Sequence, residues 1–579
     1  MVVPVVERLS RPDPSHPVKT PPRRPGDTPD NPQRRRLLGG IALAGGALAV
    51  GASTGEAPAA ARPKATRHGD NTALDRALRE QVQRIVVIYC ENRSFNNLFP
   101  DFPGLQQPLS ALKPADTLQR DRDGNVLDIL PPIWGGLVPD EQVVDHRRFK
   151  IGEDAFGPLP NAPFALTTPD GKPLPHGVVT RDLVHRFYEN QMQINGGRND
   201  AFAAWGDSGG LVMGHYGDAP ATLRLWQLAR EYTLCDNFFM GAFGGSFLNH
   251  QYLITAQPPY YPHADHSPAR LQTALLDSED PHGTRLLLDE NTPPSALNGR
   301  PKFVRNGALT PDFWAVNTML PPFQPCGMNN PARPDYAPAD SANVLPPQTH
   351  HHIGDALDAA GVDWAWYAGG WALAVQGNGE TGETSEFPGS PNFQYHHQPF
   401  NYFANLAPGS STRERHLRDG GLGDSAPDNR FIADIRDGKL PPVTFYKPQG
   451  NLNMHAGYSD VAAGDRHIAC VIEALRNGPQ WQNTVVVITF DENGGWWDHV
   501  APPKADRWGP GSRIPALVVS PLAKRGFVDH TVYDTGSILR LITRRFGLEP
   551  LPGLVERERA MLAASGVAPG DLTDALALD

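Results

Sequence analysis

Asp491-Glu492-Asn493-Gly494-Gly495 closes the apolar run Thr484 to Phe490 and sets two adjacent carboxylates where a buried strand meets solvent. Inside the run, Val485-Val486-Val487-Ile488 is apolar and β-branched, with the helix-breaking Asn477-Gly478-Pro479 shortly before it and glycines after. The segment therefore reads as a central parallel strand. Ligands in open α/β sheets bind beyond the carboxyl ends of such strands, where hard cations and phosphates are handled. Trp496-Trp497-Asp498-His499 follows, and its Asp and His are expected on the same rim.

A second strand ends in the same way. Arg84 to Cys90 runs straight into Glu91-Asn92-Arg93-Ser94-Phe95, so another carboxylate and an amide oxygen arrive at a strand's carboxyl end. Together Glu91, Asn92, Asp491 and Glu492 can supply an all-oxygen shell, which suits a hard divalent cation better than a thiolate-seeking one. Either pair alone reads equally well as the cap of a following helix. Two matching strand ends favour a shared site.

Around these strands the chain alternates further apolar runs with amphipathic segments. Strands are expected near residues 231–239, 362–367, 442–446 and 515–521, and helices near 182–192, 465–476 and 536–542. The alternation argues an α/β fold with a mainly parallel central sheet flanked by helices. The 579 residues are enough for a full core. The 57 glycines and 59 prolines point to long loops decorating a sheet. A single large domain is expected over 84–579, preceded by a linker or helix at 62–83, with loop-rich insertions at about 100–220 and 258–347.

Residues 1–61 read as a separate object. Arg34-Arg35-Arg36 precedes a short, glycine-rich apolar stretch, and Ala59-Ala60-Ala61 offers small residues to a peptidase. This is the pattern of a twin-arginine export signal, and the apolar stretch is too short for a typical membrane span. The expected partner is the twin-arginine export machinery, and the expected location periplasmic or secreted. Removing residues 1–61 leaves 44 basic against 58 acidic side chains, taking the net charge from −11 to −14. Nucleic acid binding therefore has no electrostatic support. Cys90, Cys235, Cys326 and Cys470 are too few and too scattered for a disulfide scaffold, although one or two bridges are open to an exported chain.

The glycine corner Gly241-Ala242-Phe243-Gly244-Gly245 leads into Ser246, which stands at the expected start of a helix. Free amides and the helix dipole attract phosphate there, and the serine is either an N-cap or a nucleophile. His350-His351-His352 suggests a metal site, but consecutive helical residues do not share a face, so a helix start is the better reading.

These motifs jointly resemble the bacterial phosphoesterase family of metal-dependent acid phosphatases and phosphatidylcholine-hydrolysing phospholipases C, within the alkaline-phosphatase superfamily. The resemblance runs from about Arg84 to Phe546. It implies that Glu91, Asn92, Asp491 and Glu492 hold one divalent metal ion and that Ser246 is both its fifth ligand and the nucleophile. It implies also that His455 or His146 protonates the leaving alcohol, and that Asn249, His396 and His397 contact the substrate phosphate. One departure is Asn96-Asn97 after Phe95, where many relatives have an aspartate first. The activity expected is an acid phosphatase acting on phosphomonoesters through a phosphoserine. Phospholipase C is the alternative enzyme, disfavoured by the short stretch after residue 542, and a catalytically inactive secreted binding protein is the alternative of another class. Replacing Arg34 and Arg35 with Lys is expected to strand the precursor in the cytoplasm, which cell fractionation reads directly; unchanged export would indicate the general secretory route.

Overall fold

All seven residues of the Thr484–Phe490 strand are buried, as are six of the seven in Arg84–Cys90, so both faces of these strands are covered. The computed structural model describes residues 72–376 and 393–578; the expected export leader at 1–61 lies outside them. The central sheet has eight strands in the order Phe527–Asp529, Thr233–Cys235, Ala516–Val519, Thr484–Phe490, Arg84–Cys90, Val443–Lys447, Trp364–Gly369 and Leu417–Gly421. Neighbours run parallel except at Ala516–Val519, which is antiparallel to both of its partners. The fold is thus α/β with a mainly parallel sheet flanked by helices.

Register explains why the two polar strand ends meet. Cys90 lies opposite Phe490, so Glu91 and Asp491 leave adjacent strands in step. On the other side Ile88 lies opposite Tyr446, which brings Lys447 to the same edge.

The helix Val461–Asn477 buries Ile468, Val471, Ile472 and Leu475, the spacing expected of an inward face, and starts where the Asp460 side chain accepts from Ala463 N at 2.7 Å. The helix expected at 182–192 begins later, as Phe187–Ile194. The residues before it stay extended because tertiary contacts hold them: Val184 N donates to Asp207 Oδ1 at 3.0 Å, and Gly495 packs so closely that a Cβ there would lie 2.7 Å from Leu183 Cβ. The histidine run caps a helix, as the spacing argument prefers. His352 accepts from Asp355 N at 3.1 Å at the start of Ile353–Ala359, its ring buried against Phe400 and Phe403. In the described part of 258–347 no α-helix forms, and the chain is held by short turns and isolated bridges such as Leu276 with Leu286 and Leu288 with Phe303. All four cysteines are free thiols.

Asp498 and His499 do not join the ligand rim. The buried Asp498 carboxylate pairs with Arg513 Nε at 3.0 Å and accepts from Asn96 N and Val500 N, both at 2.9 Å. Arg513 also donates to Asp236 O and, at 3.3 Å, to Asn96 Oδ1. His499 bonds Asn96 Oδ1 and Gln107 O through its two ring nitrogens. The pair is a clamp that ties the loop after Asp491 to the loop after Glu91. Asn96, the departure from the family pattern, belongs to this clamp. Arg513→Met leaves Asp498 buried and unpaired and is expected to cost about 3–5 kcal/mol of stability, measured by denaturant unfolding.

Candidate metal centre and nucleophile

Ser246 opens the helix Ser246–Thr255, all ten residues of which are buried. The corner before it needs glycine. Gly244 has φ +91°, and a Cβ on it would lie 2.5 Å from Phe187 N; one on Gly245 would lie 2.7 Å from His185 O. The backbone therefore approaches the loop of residues 182–187 more closely than any side chain permits.

Ser246 Oγ donates to Glu91 Oε2 at 2.8 Å and also lies 3.4 Å from Asn92 Oδ1 and 3.5 Å from Glu492 Oε1. A hydroxyl has one proton to give, so it satisfies one of these three oxygens and leaves the others facing it. Asp491 Oδ1 accepts from Asn92 N at 3.0 Å and Glu492 N at 2.8 Å, while its Oδ2 is buried without a hydrogen-bond partner among the described residues. Burial and the neighbouring charge of Glu91 push Asp491 well above the usual carboxylate range, and burial lifts Glu492 to about 7. Burial also works against ionised Glu91, but Lys447 and His397 overcome it and hold this carboxyl well below the ordinary value. Three fully buried carboxyl groups stand at this edge of the sheet, and oxygens of Glu91, Asn92 and Glu492 surround the Ser246 hydroxyl. An added cation is what lets all three ionise together, so the donor set fits a divalent metal ion.

Asn92, held at φ +60°, divides this centre from the pocket outside it. Its Oδ1 faces Ser246, and its Nδ2 stands 3.1 Å from His455 Nε2 and 3.4 Å from His185 Nε2. Each imidazole is oriented by a backbone carbonyl at Nδ1, Ala456 O for His455 and Leu183 O for His185. Burial depresses His455. It would depress His185 too, but the charges of Glu492 and Asp182 outweigh it and hold that ring at about 9. Ser246, His185, His396, His455, Tyr458 and Asn317 line a cavity of about 260 Å³.

Several expected residues fall elsewhere. His146 is not brought to the centre: it stands exposed in the turn between Gln142–Val144 and Arg147–Phe149. The histidine beside His455 is instead His185. Asn249 spends its side chain on the glycine corner, accepting from Ala242 N at 2.9 Å and donating to Ala242 O and Gly245 O, so it shapes the loop that carries Ser246 and has no free group for a phosphate. His396 lines the cavity, whereas His397 lies behind the centre with Nε2 2.8 Å from Glu91 Oε1. His185, His250 and Lys447 were not singled out from the sequence. Lys447 was within reach of the same rule that found Glu91 and Asp491, since it too ends a central strand.

A phosphoesterase family model matches residues 82–549. The chain belongs to the phosphoesterase family. Among curated phosphoesterase relatives, phospholipase C B of Mycobacterium tuberculosis is 23% identical over a match covering 82% of this chain and 74% of that protein. Non-specific phospholipase C6 of Arabidopsis thaliana is 33% identical over 21% of this chain and 29% of its own. Among solved structures, an alkaline-phosphatase-superfamily protein from Vibrio parahaemolyticus matches with 10% identity, 60% of this chain, 65% of that one and a TM-score of 0.28. The chain is a phosphoric ester hydrolase, and among its described residues no helix is long and apolar enough to cross a membrane.

Proposed function

We propose that this chain hydrolyses phosphodiesters in the manner of a phospholipase C, through a phosphoserine at Ser246, outside the cytoplasm. The observation that carries the chemistry is the convergence of Glu91, Asn92 and Glu492 oxygens on Ser246 Oγ. Glu91, Asn92, Asp491, Glu492 and Ser246 would hold one divalent cation, which when bound supplies Lewis-acid stabilisation of charge on serine and phosphoryl oxygens.

Ser246 Oγ gives up its proton to solvent in the cavity and attacks phosphorus, forming the Oγ–P bond as the ester P–O bond breaks. His455 or His185, both facing the cavity, protonates the departing alkoxide. Water then cleaves the phosphoserine and frees Ser246. Asn92 turns Oδ1 toward Ser246 and Nδ2 toward the two imidazoles, so one amide orients both the nucleophile's side and the proton donor's side.

The diester reading is supported by curated relatives named phospholipase C that match 82% of the chain. The phosphomonoesterase expected from the sequence remains a second reading, favoured by the small cavity lined with imidazole and amide groups. Turnover of phosphatidylcholine against a soluble alkyl monoester separates them; a clear preference for the monoester would reverse the assignment.

Ser246→Ala is expected to lower ester turnover by roughly 10³-fold or more with the fold intact, measured by kinetics and circular dichroism. Near wild-type turnover would remove Ser246 from the chemistry. A further prediction separates the two histidines. A nitrophenolate leaves readily without a proton and an alkoxide does not, so the true donor's alanine variant loses far more rate on alkyl than on nitrophenyl esters. Equal losses on both would assign that ring to phosphate binding.

A further inference from the structure

Beneath the five oxygen ligands lies a second group of metal-binding side chains. Ligand atoms of Glu91, His250 and His396 all fall within 4.8 Å of one another, and all three residues are buried. His250 Nε2 has no hydrogen-bond partner among the described residues, and its Nδ1 is taken by Ser246 O at 2.7 Å. His397 adds a third imidazole, its Nε2 2.8 Å from Glu91 Oε1. A carboxylate oxygen with imidazole nitrogens around it is a donor set for zinc.

One cation already stands there. The Lys447 ammonium is fully buried and in ion-pair contact with Glu91 Oε1, the carboxylate oxygen turned away from Ser246. Among the described residues its ion pair is with Glu91, and its further contacts are Cys90 O at 3.5 Å and the face of Tyr89 at 5.4 Å. Charge counting gives the same answer. A second metal ion beside the buried Lys447 ammonium would set two unscreened cations against the one carboxylate they share, Glu91.

We propose that Lys447 occupies the place of a second metal ion and keeps the centre mononuclear. It holds Glu91 Oε1 so that Glu91 offers only Oε2 to the nucleophile's cation, and it denies the Glu91, His250 and His396 group to zinc. Lys447 is a positioning residue in this role, acting through Glu91. The inference rests on the metal centre proposed above.

Zinc titration of the chelator-stripped full chain, read by calorimetry and elemental analysis, tests it. Wild type is expected to saturate at about one equivalent and Lys447→Met at about two, the added one lost again in Lys447→Met/His250→Ala. One equivalent in both wild type and Lys447→Met overturns the inference and leaves the metal centre standing. No bound metal in wild type overturns the metal centre itself. Should Lys447→Met not fold, wild type decides alone by X-ray absorption in excess zinc: a metal–metal distance of about 3.5–4 Å overturns the proposal, and an isolated zinc supports it.

Discussion

Three buried carboxyl groups at one edge of the sheet repel one another, and the rest of the centre is arranged around that repulsion. Glu91, Asp491 and Glu492 have no exposed surface, so solvent does not screen their charges. The molecule divides the problem. Glu91 is kept ionised by Lys447 and His397 behind it, while Asp491 is driven upward by burial and by the charge on Glu91. A chain evolved only for stability would place apolar groups here, as at the interior positions of the same strands. On the proposed function the unpaired negative potential has a use, and oxygens of Glu91 and Glu492 face one hydroxyl, that of Ser246.

That aim depends on segments far apart in the chain. Residues 91, 246 and 491 come together through sheet register on one side and a glycine corner on the other. Neither is tolerant of small shifts. A one-residue slip between Arg84–Cys90 and Thr484–Phe490 would turn the end carboxylates to opposite faces. The Asp498–Arg513 clamp prevents the two following loops from drifting, and Asn249 does the same for the loop before Ser246. Polar residues that looked like candidate ligands or substrate contacts in the sequence therefore serve the site at one remove, by fixing the backbone that carries it.

The same division explains what could be read in advance. The central strands, Glu91, Asn92, Asp491, Glu492 and Ser246 were legible because each signal is local: a β-branched run, then an abrupt carboxylate or a glycine pair. The histidines were not. His146 and His185 both lie in the loop-rich region before Phe187, and which of them reaches the cavity is settled by tertiary contacts such as Val184 with Asp207 and Gly495 against Leu183. No periodicity encodes such contacts. The clamp role of Asp498 leaves no local signal for a related reason: its partner Arg513 lies fifteen residues on, across an irregular segment. Lys447 closes a central strand as well, so its position carries the same information as those of the carboxylates.

Chemistry and substrate choice come from different parts of this molecule. The oxygen shell and Ser246 are built on the sheet edge and the helix behind it, whereas Asn317 and Thr318 of the cavity wall come from the helix-poor stretch 258–347. That stretch is tied to the rim by Arg186, which also lines the cavity and donates to Asn306 O at 2.8 Å and Gly307 O at 3.3 Å. A change in the stretch can reshape the space around the ester's leaving group without moving Ser246, whose position is fixed from below. One shell and one serine can thus serve monoesters or diesters, and the ligand motifs alone cannot say which: the distinction lies in loop geometry that leaves no pattern in the sequence.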